Sequence, residues 1–316
     1  KCLKLGINLK LHNGKTSQEF TSRSNLFGSD ISTFRYHLNM KADLHCHSYF
    51  SDGKHSPDFL LKRAEINKIS HLAITDHDFA FKPSLAEARE SNVHLISGVE
   101  ISCKWQTREI HIVGIGIDPE HNVLDSLLLK QRQNRKLRVE KINKLLVKSN
   151  IDGLMSYLAS QKAMSITRSH VADFLVLSGA TKNRKSAFTR FLGKGGRAFI
   201  PADWTSMEEA IHAIADSGGI SILAHPSRYQ LSRYQLTSLI DAFKNSGGMA
   251  LEVSYANINP NIQRMLEETA LKNDLFVSAG SDFHDTKAHW TDIGKFPQIN
   301  PIAEKLAVWK HPKWCL

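Results

Sequence analysis

The sequence predicts an α/β fold in which short apolar strands alternate with amphipathic helices. Three observations lead to it. From Met40 onward, short apolar runs recur between segments of helical period. Most of those runs end in His, Asp or Glu, and the strand ends of parallel α/β sheets are where such folds build their sites. The four cysteines, Cys2, Cys46, Cys103 and Cys315, are far apart and form no CxxC pair, so a disulfide-stapled fold is disfavoured.

The elements follow in order. Lys1–Asn39 is rich in Lys, Asn, Ser, Thr and Gly, has no clear period and lacks the apolar stretch of a secretory signal. It is expected to be a disordered extension, with Met40 as the natural start; the alternative is an ordered strand and helix. Strands are predicted at Ala42–His45, His71–Thr75, His94–Val99, Glu109–Ile117, Gly219–Ala224, Met249–Val253 and Phe276–Gly280. Helices are predicted at Ser56–Asn67, Ser84–Ser91, Met207–Ser217, Ser232–Ser246 and Pro260–Asn273. Repeated strand–helix units imply a parallel sheet, open or closed into a barrel. Between Asp118 and Arg197 strand signals fade. Val123–Asn150 reads as one long basic helix, with shorter helices at Gly153–Ser160, Arg168–Ser178 and Lys185–Leu192. The expected organisation is a sheet domain from 40–117 and 198–316, interrupted by a small helical insertion over 118–197.

Composition limits the function classes. Among 316 residues, 41% are hydrophobic and 23% charged, which supports a core and excludes wholesale disorder. No run approaches the roughly 20 apolar residues of a membrane span. Lys plus Arg is 41 against 31 Asp plus Glu, a formal charge of +10. That balance favours an anionic partner such as a nucleotide, a nucleic acid or a phosphoester. Cysteine usage fits a reducing, cytoplasmic location. No membrane association and no obligate protein partner is inferred.

The sixteen histidines carry the functional signal. His45 and His47 are two apart at a strand end, so both rings face one side and Cys46 between them faces the core. Asp52 follows in a tight Ser-Asp-Gly turn. His71–Thr75 runs into Asp76-His77-Asp78, and Leu95–Val99 runs into Glu100. His111 sits within an alternating strand, Ile222–Ala224 leads to His225, and Val277–Ser281 leads to Asp282 and His284. Charged groups collected at strand ends need partners or a metal. His45, His47, Asp52, His77, Glu100, His111, His225, Asp282 and His284 are too many for one ion and suit two or three. Imidazole and carboxylate without thiolate point to Mn, Fe or Zn.

Taken together, DLHCHSYFSDG, ITDHD, GVEIS, EIHIVGIGI, LAHPSRY and SAGSDFH resemble the polymerase-and-histidinol-phosphatase (PHP) family of metallophosphoesterases, from Met40 to the C-terminus. The similarity is to its branch of 3',5'-nucleoside bisphosphate phosphatases and 5'-to-3' exoribonucleases. The resemblance implies a distorted seven-stranded βα barrel with an inserted helical domain and three divalent ions, Mn2+ first and Fe or Zn as alternatives. It implies His45, His47, Glu100 and Asp282 around one ion, Asp52, His77 and His284 around a second, and Glu100, His111 and His225 around a third. Glu100 would bridge two ions. Asp76, read from its position beside His77, is expected to orient a ligand histidine, with a turn or N-cap role as the alternative.

The implied chemistry is in-line hydrolysis by hydroxide generated among the ions. Implied substrates are 3',5'-bisphosphonucleosides, as in pAp to AMP, and RNA 5' ends. Alternatives are a histidinol-phosphatase-like enzyme and a non-catalytic nucleic-acid-binding module. A phosphate that is not cleaved needs cationic anchors. Arg132, Arg135 and Arg138 share a face at three-residue spacing and are expected to form a basic strip over the ions. Arg168, His170 and Arg228 are further substrate-binding candidates. Tyr229 and Trp204 offer flat faces to a base, with core packing as the alternative.

Overall fold

The computed structural model describes residues 40–83 and 91–314. The expected extension over Lys1–Asn39, the helix expected at Ser84–Ser91 (Ser91 apart), Cys2 and Cys315 lie outside the described residues. Among the described residues, no helix is long and apolar enough to cross a membrane.

Seven strands make the main circuit: β1 (Ala42–Cys46), β2 (His71–Ile74), β3 (His94–Trp105), β4 (Arg108–Ile115), β6 (Ile220–Leu223), β7 (Ala250–Tyr255) and β8 (Phe276–Gly280). They hydrogen-bond in that order, and a two-residue strand β5 (Thr205–Ser206) pairs with β3. Helix α1 (Pro57–Ile66) follows β1, and α6 (Met207–Asp216), α7 (Arg233–Asn245) and α8 (Pro260–Lys272) follow β5, β6 and β7. Each starts where the chain supplies a cap: the side chains of Ser56, Ser206, Ser232 and Asn259 accept bonds from first-turn amides.

The sheet is mixed, which corrects the parallel expectation. Strand β4 runs antiparallel to both β3 and β6, while the remaining pairs in the circuit are parallel. Only Gln106 and Thr107 separate β3 from β4, so the chain must reverse as a hairpin. Strand β3 was predicted to stop at Val99. It continues to Trp105 because β4 pairs with it from Gly98↔Ile115 to Trp105↔Arg108. Glu100 therefore stands inside a strand rather than beyond its end.

Strands β1 and β8 bring the ends of the circuit together. His47 N–H donates to Phe283 O at 2.9 Å, and Asp282 N–H to His45 O at 2.7 Å. Gly280 permits that approach: a Cβ there would lie 2.3 Å from His45 Cβ. The principal core includes Ile101, Ile112, Ile214, Leu223, Phe243 and Val253, between sheet and helices. Cys46 is buried with Leu60, Ile74 and Phe283, on the side its alternation with the flanking histidines requires.

Between β4 and β5 lie α2 (Asn122–Val147), α3 (Leu154–Ala159), α4 (Arg168–Leu177), α5 (Arg184–Ala187) and a π-helical turn at Phe188–Leu192. Val139, Ile142, Leu154, Val171, Leu175 and Phe191 belong to a cluster distinct from the principal core.

Candidate metal centre

Glu100 is the hub. It is fully buried, and its two oxygens face different histidines. Oε2 lies 3.4 Å from His45 Nε2, 3.2 Å from His47 Nε2 and 3.0 Å from His77 Nδ1. Oε1 lies 2.8 Å from His111 Nδ1 and 3.0 Å from His225 Nε2. Backbone register explains the gathering. Ser102, two residues from Glu100, pairs with His111, and His77 bridges to Glu100 itself. The rim continues through Asp282 Oδ1, 3.2 Å from His47 Nε2, and Asp52 Oδ1, 3.3 Å from His284 Nε2 and 3.7 Å from His77 Nε2. All nine sequence candidates are thus brought together.

The donor set fits cations. Asp52 Oδ1 and Glu100 Oε2 are buried oxygens without a hydrogen bond, a costly arrangement for carboxylates unless a positive partner is supplied. His45 Nε2 and His47 Nε2 approach to 3.3 Å, although at most one proton can lie between them. Four sets have ligand atoms within 4.8 Å of one another: His47, Asp52, His77 and His284; His45, Glu100 and His225; His45, His47 and Asp282; and His77, Glu100 and His111. They overlap at His45, His47, His77 and Glu100, which is more interwoven than the three expected ligand lists, joined through Glu100 alone.

Electrostatics point the same way. Burial works against charge on Asp52, Glu100 and Asp282, yet the surrounding imidazoles hold all three well below the usual carboxylate range. Burial also opposes protonation of His47, but Asp282 and Glu100 outweigh it and push the ring up to about 10. His111 is pushed up to about 9 by Glu100 and Glu109 despite its burial. Burial pulls His77 and His225 down. Protons on some imidazoles thus offset the carboxylate charge that cations would otherwise offset. The backbone is strained at the same rim: His225 and Asp282 hold φ of 29° and 50°, a left-handed region that non-glycine residues seldom occupy.

Supporting contacts fix the rings. Glu252 on β7, absent from the sequence candidates, accepts from His45 Nδ1 at 3.0 Å and from His225 N–H at 2.6 Å. A carboxylate within the apolar run Leu251–Val253 was the available signal. Asp43 accepts from the amides of Ser281 at 2.8 Å and Gly294 at 2.7 Å, and burial raises its carboxyl to about 6. Asp76 acts on a histidine through intervening residues, which joins its expected orienting role to the turn role held as its alternative. It accepts from the amides and hydroxyls of Ser48 and Ser51, and Ser51 Oγ lies 3.3 Å from His47 Nδ1. Asp76 therefore positions His47 through the turn.

The expected basic strip is also corrected. Arg135 is buried, with Nε donating to Asp78 Oδ2 at 2.7 Å and Nη2 to Ser102 Oγ at 2.8 Å. Arg132 donates to Asp78 O at 3.0 Å, and Arg138 to Ile200 O at 2.9 Å. The three do share a face, but their donors bind the protein. His170 is buried too; its Nδ1 accepts from Thr167 N–H in the cap of α4, and Thr167 Oγ1 donates to Asp52 Oδ2 at 3.0 Å. Its place is behind Asp52 rather than against a substrate. Arg168 is paired with Glu109 at 3.1 Å. Trp204 packs beneath Arg135, and Tyr229 donates to Ala224 O at 2.6 Å, so both are structural. Of the six substrate candidates, Arg228 alone lines the cavity beside the centre. It pairs with Asp282 and lies over the Tyr255 ring.

That cavity encloses about 1090 Å³ and runs from Asp282 and His284 to Lys54, Arg184 and Trp290. Lys54 and Arg184 were not singled out in the sequence, since neither stands in a recognisable motif.

A barrel with convergent His and carboxylate groups at its rim defines a metallohydrolase class, and the known proteins agree. Residues 43–254 match the PHP domain model; the chain belongs to the PHP domain family. A 5'-3' exoribonuclease Rnm from Escherichia coli is 38% identical over 278 residues, covering 86% of this chain and 94% of its own. A 3',5'-nucleoside bisphosphate phosphatase from Chromobacterium violaceum is 32% identical, covering 85% and 95%. A solved structure of an amidohydrolase from Chromobacterium violaceum, with bound sulfate and no metal, superimposes with a TM-score of 0.78 at 32% identity, covering 85% and 95%.

Proposed function

We propose that this chain is a metal-dependent phosphoric ester hydrolase that removes the 3'-phosphate of 3',5'-bisphosphonucleosides and releases nucleotides from RNA 5' ends. The observation that carries the reading is Glu100, one buried carboxylate facing five imidazoles with an oxygen that no protein donor satisfies. His45, His47, Asp52, His77, Glu100, His111, His225, Asp282 and His284 would hold the ions, with three the expected number and Mn2+ the expected metal. When bound, divalent ions lower the pKa of water and offset charge on the transferring phosphoryl group.

The chain's own residues supply orientation. Glu252 fixes the His45 ring by accepting its Nδ1 proton, leaving Nε2 turned to the rim. Asp76 holds the Ser51 turn that carries His47 and Asp52. Arg228 faces the cavity and offers guanidinium donors to the phosphate that is not cleaved. The exposed Trp290 ring offers a base a stacking face. One phosphate at the rim and another on this arginine would make phosphatase and exonuclease a single chemistry with two leaving groups. Residues 118–197 are read as the inserted domain that walls this cavity.

Purified protein loaded with Mn2+ should hydrolyse 3',5'-bisphosphoadenosine and a short 5'-phosphorylated RNA, with histidinol phosphate a poor substrate. Preference for histidinol phosphate, or RNA binding with no turnover of any of the three, would overturn the reading.

A further inference from the structure

From residue 174 to residue 202 the chain has no acidic side chain but has Lys182, Arg184, Lys185, Arg190, Lys194 and Arg197. Five of these six are exposed; Arg184 is half-buried. Among the described residues Arg184 is paired, with Asp173, and the other five make no ion pair. The segment folds back on itself. Arg190 donates to Ala180 O at 3.1 Å, and Arg197 N–H donates to Arg190 O at 3.0 Å, so the Lys182 end, the π-turn and the Gly195–Gly196 loop meet at one corner. Like charges held together without counter-charge repel, and this cost calls for an anionic partner.

The corner connects with the candidate centre. Lys54 N–H donates to the carbonyl of His284 at 2.8 Å, and Lys54 Nζ reaches Asp173 at 2.5 Å. Asp173 also pairs with Arg184, whose side chain lines the cavity beside His284. Arg184 lies between Lys182 and Lys185 in the chain. A continuous course therefore runs from the rim, along Lys54 and Arg184, to unpaired cations on the surface.

We propose that this corner is a docking track for single-stranded RNA, gripping phosphodiesters downstream of the 5' nucleotide while that nucleotide occupies the cavity. The inference rests on the exonuclease half of the proposed function. Lys182, Lys185, Arg190, Lys194 and Arg197 are exposed and outside the cavity lining, so the track favours polymers over free nucleotides. The C-terminal half of α2 is also basic, with exposed Lys141, Lys144 and Lys148, but no cavity-lining cation continues from it.

The test compares Lys182→Ala/Lys185→Ala/Lys194→Ala with a control, Lys141→Ala/Lys144→Ala/Lys148→Ala, both in Mn2+-loaded protein. The probe is a labelled 5'-phosphorylated RNA of about 12 nucleotides with cleavage-resistant phosphorothioate links, followed by anisotropy across a salt series. The first variant should bind about tenfold more weakly near 0.1 M salt. Its log K against log salt slope should be shallower by about 2, three single-strand phosphate contacts having been removed. The control should match the wild type, and both variants should turn over 3',5'-bisphosphoadenosine normally, which also reports intact folding. An unchanged slope in the first variant, or equal loss in both, overturns the track. Normal RNA binding without bisphosphoadenosine turnover would overturn the phosphatase reading and leave the track standing.

Discussion

The barrel rim and helix α2 both concentrate charge, and they treat it in opposite ways. At the rim, Asp52 and Glu100 keep buried oxygens that no donor satisfies, and two imidazole nitrogens point at each other. In α2, the donors of Arg132, Arg135 and Arg138 find Asp78, Ser102 and the carbonyl of Ile200. Satisfied buried polar groups hold a fold together; unsatisfied ones that converge define a ligand's place. The difference separates a site from a scaffold even where both look equally charged in sequence.

Removing the hub should produce the largest effect. Glu100→Ala should bring phosphatase activity to background and reduce bound metal, measured by turnover and elemental analysis on the same preparation. Retained activity would place Glu100 with the scaffold and erase the contrast.

The scaffold side breaks differently. Arg135→Met leaves Asp78 buried and unpaired, so denaturant unfolding should show a loss of about 3–5 kcal/mol. Because Asp78 adjoins His77, and its amide donates to Glu100 O at 2.8 Å, activity should fall by similar factors on 3',5'-bisphosphoadenosine and on p-nitrophenyl phosphate. A selective loss on the bisphosphate would restore Arg135 to the role of phosphate anchor.

A smaller effect sharpens the boundary between the two regions. Glu252 sits behind the rim and touches His45 and the His225 amide. Glu252→Gln keeps the shape and should weaken metal affinity about 10–100-fold without unfolding the protein. Metal titration of the variant checks this, and an unchanged affinity would make Glu252 a purely structural carboxylate.

How much was readable in advance follows the same division. His45 and His47, and Asp282 and His284, were legible because alternation sends residues two apart to one face, and because packing gives no reason for such groups after apolar strands. Strand β4 was legible as a strand but not in direction: Gln106-Thr107 lacks the Asn-Gly or Gly signature of a two-residue hairpin. Glu252 was hidden because a lone carboxylate in an apolar run does not announce its partner. Helical spacing placed the α2 arginines on one face, yet spacing cannot say whether that face meets a substrate or Asp78, a residue 57 positions away. Lys54 and Arg184 became part of the cavity only through folding, since Asp173 joins them across segments far apart in the chain.

The most direct measurement of the central claim is the number of ions at the rim. Protein purified without chelator and then reloaded with Mn2+ should carry more than one transition-metal ion per chain by elemental analysis, three being the number the family resemblance implies. A stoichiometry of one or less, unchanged by reloading, would contradict the claim that the unsatisfied oxygens of the rim are there to hold a multi-ion centre.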